Sequence, residues 1–195
     1  MRKRFFFLVI IFGNFLGHSH LCFADYQEYQ ILPSKSFAEF RLGSTFGKIR
    51  GVSQSLTGSF YYDPDAYEVK LPVQAFLLVE SFKTGIRVRD KAIYKMFESL
   101  QFPFYESKIQ EVACRLSSQG GLVQCDIHAF LKIRTIEQPF QFAVNIIDQN
   151  DTLKIIGGFD MTTDQFELKP PTFFGIFRAE KDVRVHFETV WKKIS

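Results

Sequence analysis

The chain has 195 residues, of which 46% are hydrophobic, 16% aromatic and 23% charged. That suffices for one domain with a sizeable core, falls short of two comfortable ones, and is too apolar for disorder throughout. Lys and Arg number 24 against 21 Asp and Glu, but the surplus sits in the first four residues and the remainder is formally neutral. A nucleic-acid-binding protein, which draws on a basic excess, is thereby excluded.

Residues 1–24 begin Met1-Arg2-Lys3-Arg4, run almost wholly apolar from Phe5 to Phe12 and end Cys22-Phe23-Ala24. A charged start, a short apolar run and small residues at the −3 and −1 positions describe a secretory signal peptide cut after Ala24. Gly13, Asn14, His18 and His20 interrupt the run before the roughly 20 apolar residues that a membrane-spanning helix needs. The expectation is a leader over 1–24 and a single domain over 25–195 in the periplasm or outside the cell. That domain keeps two cysteines, Cys114 and Cys125, an even number suited to an oxidising compartment.

Beyond the leader, apolar and polar residues alternate with the period of two that marks half-buried strands. In chain order the apolar members are Ala38, Phe40 and Leu42; Leu56, Gly58, Phe60 and Tyr62; and Val69, Leu71, Val73 and Ala75. After an interruption they are Val112, Cys114 and Leu116, then Val123 through Ile133, Phe140 through Ile146, Leu153 through Phe159, and Val183 through Trp191. Turn signals such as Asp63-Pro64-Asp65, Gly120-Gly121 and Gln149-Asn150-Asp151 separate them. The pattern predicts about eight strands in an antiparallel sheet, closed or sandwiched, with one wet and one dry face. The interruption, residues 84–100, places Ile86, Ile93, Phe97 and Leu100 at helical spacings and predicts a short helix capped by Asp90 and stopped before Pro103. Pro170-Pro171 and Phe173 to Phe177 form an apolar loop, read as a lid on a barrel end.

A hairpin turning at Gln119-Gly120 sets residue 112 opposite 127, 114 opposite 125, and 116 opposite 123. All six lie on the dry face already assigned by alternation. Opposed side chains sit with Cβ atoms about 4.5–5.5 Å apart, close enough for a bridge. This predicts a Cys114–Cys125 disulfide.

Catalytic signals are thin. His128 and His186 fall on the wet faces of their strands, no cluster has metal-ligand spacing, and no nucleophile elbow or phosphate-cradling glycine loop occurs. Arg87, Arg89, Asp90 and Lys91 cluster at the start of the short helix. They read either as a solvated face with an Arg–Asp pair or as a polar mouth that holds a ligand headgroup.

The order of motifs resembles the YceI-like family. The similar segments are Thr84-Gly85 with Arg89-Asp90, Met96-Phe97, Phe102-Pro103, Lys48 to Gly51 leading to Leu56 to Phe60, Leu131 to Ile133 with Gln138 to Phe140, Gly158-Phe159 with Phe166 to Leu168, and Val183 to Val185. Together they span residues 28 to 190. The chain departs from the family pattern where Lys35 and Ala92 replace histidines, where Thr163 stands near an expected basic residue, and where Glu167 replaces a glycine. The cysteine pair is also outside the usual pattern.

The resemblance implies a lipocalin-like eight-stranded antiparallel β-barrel with a short helical insertion around 84–100, exported, whose lumen binds a long isoprenoid chain such as a quinone or polyprenyl lipid. An interior of Phe, Val, Leu and Ile offers no polar partner, so a hydrocarbon suits it best. The residues expected to line the tunnel are Phe40, Phe60, Phe140, Phe142 and Phe187, with Arg89 near its mouth. No catalysis, metal or cofactor is expected apart from the bound lipid, and a homodimer is left open. Two rivals remain: an outer-membrane barrel, whose alternation is the same turned inside out, and an enzyme on a lipocalin-like barrel using His128, His186 or Arg89.

Overall fold

The computed structural model describes residues 25–117, 122–170 and 178–194. The leader, the tip of the cysteine hairpin at 118–121 and the apolar loop from Pro171 to Phe177 therefore lie outside the described residues.

Among the described residues there are ten strands and one α-helix: β1 Gln27–Ile31, β2 Phe37–Ser44, β3 Gly47–Ser53, β4 Leu56–Asp63, β5 Glu68–Leu78, α1 Arg87–Met96, β6 Phe104–Leu116, β7 Leu122–Ile133, β8 Ile136–Asp148, β9 Thr152–Thr162 and β10 Ala179–Lys193. All pairings are antiparallel. The long β10 pairs with β2 through its first part and with β1 through its last, while β3 and β4 flank β2 and β1 in turn. β1 with β2, and β3 with β4, thus occupy single positions, and the ten strands close into a barrel of eight. The antiparallel sheet predicted by the alternation is thus closed, as the lipocalin-like eight-stranded barrel that the resemblance implies.

The break between β1 and β2 is a 3-10 turn at Pro33–Lys35. Pro33 cannot donate to a ladder, and the Ser36 hydroxyl bridges the gap: it donates to Leu32 O at 2.7 Å and accepts from Val190 N at 2.9 Å.

The cysteine hairpin has the expected register, with Val112 opposite Ile127, Cys114 opposite Cys125 and Leu116 opposite Val123. The two cysteines form a disulfide with Cα atoms 4.0 Å apart. Between Ile109 and Glu111 the ladder shifts by one residue, a bulge at Gln110. It keeps both halves of this 13-residue strand turned the same way, so that Tyr105, Ser107 and Ile109 face inward on one side of it and Val112 on the other.

The dry face turns inward. On β7, Val123, Cys125, Ile127, Ala129 and Ile133 are buried, while Asp126, His128 and Lys132 are exposed. This orientation is opposite to the one an outer-membrane barrel requires, where the apolar set faces lipid.

The helix is shorter than the pattern suggested, and two of its four expected core residues point away. Ile93 is buried and Phe97 packs inward, but Ile86 is 52% and Leu100 98% exposed. Ile86 precedes the first turn and Leu100 follows the last, so neither shares the inward stripe of Arg89, Ile93 and Met96. Asp90 does not cap the helix from its N-cap position, which Ile86 occupies. It sits in the first turn, where its carboxylate accepts hydrogen bonds from the Thr84 backbone N–H and hydroxyl.

Candidate functional site: an apolar lumen

Two clusters of apolar side chains occupy the barrel. One, at the disulfide end, contains Tyr29, Phe60, Tyr62, Val123, Cys125 and Trp191. The other, at the α1 end, contains Ile133, Phe140, Met161, Phe166, Leu168 and Val183. They do not fill the interior. A cavity of about 320 Å³ runs between them, lined by residues of both, within the roughly 300–1,000 Å³ range of small-molecule sites.

Its walls are mainly rings and aliphatic chains, with Glu39, Arg89 and Glu180 also among the lining residues. Phe142 stands edge-on to Phe187 at 6.0 Å between centroids, Phe140 and Phe142 flank Phe159 at 4.9 and 5.3 Å, and Phe60 meets Trp191 edge-on at 4.8 Å. Phe40, Phe142 and Phe187 are only half-buried although they point inward, because a face of each ring looks onto the empty lumen.

Two glycines hold this space open. Phe40 lies opposite Gly51, and a Cβ there would fall 2.2 Å from its Cε1 atom. Phe187 lies opposite Gly157, where a Cβ would fall 2.6 Å from its Cζ atom and 2.7 Å from Val144 Cγ1. Each ring leans back over a bare stretch of neighbouring strand and covers it, the packing that compensates a strand glycine. With a side chain beneath it, the ring would have to stand up into the lumen.

All six residues expected at the tunnel line this cavity: Phe40, Phe60, Phe140, Phe142, Phe187 and Arg89. Phe60 and Phe140 are 6% and 8% exposed and belong as much to the core as to the wall. Lining residues not named among those expected at the tunnel include Phe82, Phe97, Tyr105, Phe159 and Trp191. Tyr105 was hidden because its strand reads as starting later, and Phe82 because it lies between elements; Trp191 and Phe159 carried the inward parity and were legible from it.

At the α1 end the polar groups are arranged around Thr84. Arg89 Nε donates to the Thr84 hydroxyl at 2.8 Å, and Nη2 donates to the Thr84 carbonyl at 2.7 Å. The expected Arg–Asp pair is absent: Arg89 and Asp90 each bond Thr84, and no carboxylate forms an ion pair with Arg89 among the described residues. Arg89 is half-buried and lines the cavity, so a guanidinium charge without a carboxylate partner borders an apolar space.

Glu39, assigned to the wet face by alternation, is 2% exposed because Arg41 and Arg50 fold over it. Arg50 Nε donates to its carboxylate at 2.6 Å, and Arg41 bonds the other oxygen. Burial opposes its charge, but the hydrogen bonds and charges of the two arginines outweigh that and hold its carboxyl below the usual range.

His128 and His186 are 48% and 42% exposed on the outer surface, 3.2 Å from Glu111 and 3.5 Å from Glu188. Neither lines the cavity. No group of three or more His, Cys, Asp or Glu able to hold a metal occurs among the described residues. Glu167, at the position where the resemblance expects glycine, adopts the left-handed conformation (φ 51°) that glycine takes without strain.

Neither a family profile nor a curated protein matches the chain. Solved structures do. BcnA of Burkholderia cenocepacia is similar over 82% of this chain and 98% of its own, with a TM-score of 0.67 at 14% identity. A polyisoprenoid-binding domain from Saccharophagus degradans, implicated in plant cell wall breakdown, is similar over 85% of this chain and 98% of its own, with a TM-score of 0.67 at 15% identity. The YceI protein of Campylobacter jejuni is similar over 75% and 85%, with a TM-score of 0.61 at 12% identity. The barrel is therefore of the YceI type, a lipocalin-like fold built around a lumen.

Proposed function

We propose that this chain is an exported carrier or sequestering protein for an isoprenoid-type lipid, a quinone or polyprenyl chain, held in the barrel lumen. The observation that carries the reading is the cavity itself: about 320 Å³ of space walled mainly by Phe, Val, Leu and Ile side chains, inside a barrel whose β7 turns Asp126, His128 and Lys132 outward. Water gains no hydrogen bonds from such walls, and a polar ligand loses those it had. A hydrocarbon loses none and gains about 0.8 kcal/mol per buried methylene before ordering costs. The polyisoprenoid-binding domain of the same fold supports an isoprenoid as the class of chain.

In this reading Phe40, Phe142 and Phe187 are the contact surfaces for the chain, Phe60 and Phe140 support them, and Arg89 meets the polar end of the ligand at the mouth. No step of chemistry is assigned; the protein's action is to hold the lipid in water. Export rests on the leader pattern of residues 1–24, with the disulfide in keeping with an oxidising compartment.

The test is to plug the lumen. Ala75 lines the cavity and is half-buried, so an added ring at Ala75→Phe has empty space to enter. Lipids are extracted from wild-type and variant protein purified without detergent and identified by mass spectrometry. An isoprenoid in the wild type and its loss from a variant with an unchanged circular dichroism spectrum support the carrier. Equal lipid in both, or none in the wild type, overturns it.

A further inference from the structure

We propose that the α1 end of the lumen seats a hydrogen-bond-accepting oxygen of the ligand, with the hydroxyls of Tyr105 and Thr163 as its donors. The inference rests on the lumen being a lipid site, and it adds the chemistry of the ligand's head and the direction in which the ligand lies.

Both side chains line the cavity, and both hydroxyl oxygens are buried without a hydrogen-bond partner. Tyr105 is an inward position near the start of β6, its ring edge-on to Phe97 at 4.9 Å and 6.1 Å from Phe82. Thr163 follows β9 at the same end of the barrel and is 5% exposed. A buried hydroxyl with no partner costs stability, and native proteins leave few of them unexplained. An apolar tail in the lumen would not relieve either one; a ligand oxygen would.

The other end lacks such groups among the described residues. There the Thr189 hydroxyl, another lining group, accepts from Trp191 Nε1 at 2.7 Å. The orphan donors therefore mark one end as the head site and leave the disulfide end to the tail. Arg89, on the helix that ends just before Phe97, adds a third donor bordering the lumen. Hydroxyls kept neutral and a guanidinium suit a carbonyl, quinone or phosphoryl oxygen, and burial does hold the Tyr105 phenol well above its usual pKa, so that it keeps its proton. Both hydroxyls sit within the wall, so seating the oxygen takes a turn of Thr163 about χ1 and a tilt of the Tyr105 ring. Neither move breaks a hydrogen bond, since neither hydroxyl makes one.

The experiment uses Tyr105→Phe and Thr163→Val, refolded without lipid beside the wild type. Each is titrated with a short-chain isoprenoid quinone, a polyprenyl phosphate and squalene, which has no oxygen. Trp191 is the chain's single tryptophan and lines the cavity, so its emission reports occupancy. The expected result is about a 3- to 10-fold weaker affinity for an oxygen-bearing ligand in each variant, with squalene unchanged and the lipid-free melting temperature equal or higher. Which of the two oxygen-bearing ligands suffers the loss identifies the source of the oxygen. Unchanged affinity for both, or an equal loss for squalene, overturns the head-site assignment while the carrier reading stands. Failure of the wild type to bind any of the three overturns both.

Discussion

Gly157 shows how much of the site depends on what is missing from a side chain. It faces Phe187 across the β9–β10 ladder, and Val144 of β8 stands close on its other side. A methyl group placed there meets Val144 at 2.7 Å and the Phe187 ring at 2.6 Å. Val144 is held by its own strand, so the ring is what gives, and the only open direction is the lumen. Gly157→Ala is expected to cost about 1–3 kcal/mol, the usual penalty for overpacking, and to reduce the lipid carried per molecule. Thermal melts and lipid extraction on the same preparation check both effects. A variant that melts like the wild type with full lipid content would show that the ring does not need its glycine.

At the scale of elements, the β6–β7 hairpin was legible because two independent patterns agreed on it: the alternation that put Cys114 and Cys125 on the dry face, and the turn that set them opposite each other. The disulfide closes a short loop, with a sequence separation of 11, and such a loop is worth about 2–3 kcal/mol. Cys114→Ala with Cys125→Ala, or reduction of the native protein, is expected to lower the unfolding free energy from urea titration by that amount, moving the midpoint down, while the circular dichroism spectrum at zero urea is retained. An unchanged midpoint would mean that the bridge adds nothing to the hairpin's own pairing. Other elements were less legible. β3 contains Gly47 and Gly51, which read as turn residues in isolation, yet Gly51 is there to accept the Phe40 ring. The bulge at Gln110 leaves no mark in composition, and it reverses the inward parity of β6 partway along, which concealed Tyr105. In α1 the apolar spacing extended beyond the helix, because Ile86 and Leu100 keep the period without sharing the packed stripe.

For the molecule as a whole, alternation identified the dry face and so the residues that line the barrel, but it is the same for a hollow interior and a solid one. The difference lies in ring orientation: Phe40 and Phe187 lie against the wall over glycines, and Phe142 stands edge-on beside Phe187. Such angles depend on neighbours brought together across strands and cannot be read along one of them. The orphan hydroxyls of Tyr105 and Thr163 were equally invisible, since a missing partner is a property of the assembled fold.

The claim on which the account turns is that the hollow accepts a slender chain. A crystal structure of the protein after incubation with a long-chain isoprenoid quinone tests it most directly. The account predicts a continuous rod of density in the lumen alongside Phe142 and Phe187, with an oxygen within hydrogen-bonding distance of Tyr105 or Thr163. A lumen closed by the inward collapse of its own rings, with no ligand density inside, would contradict it.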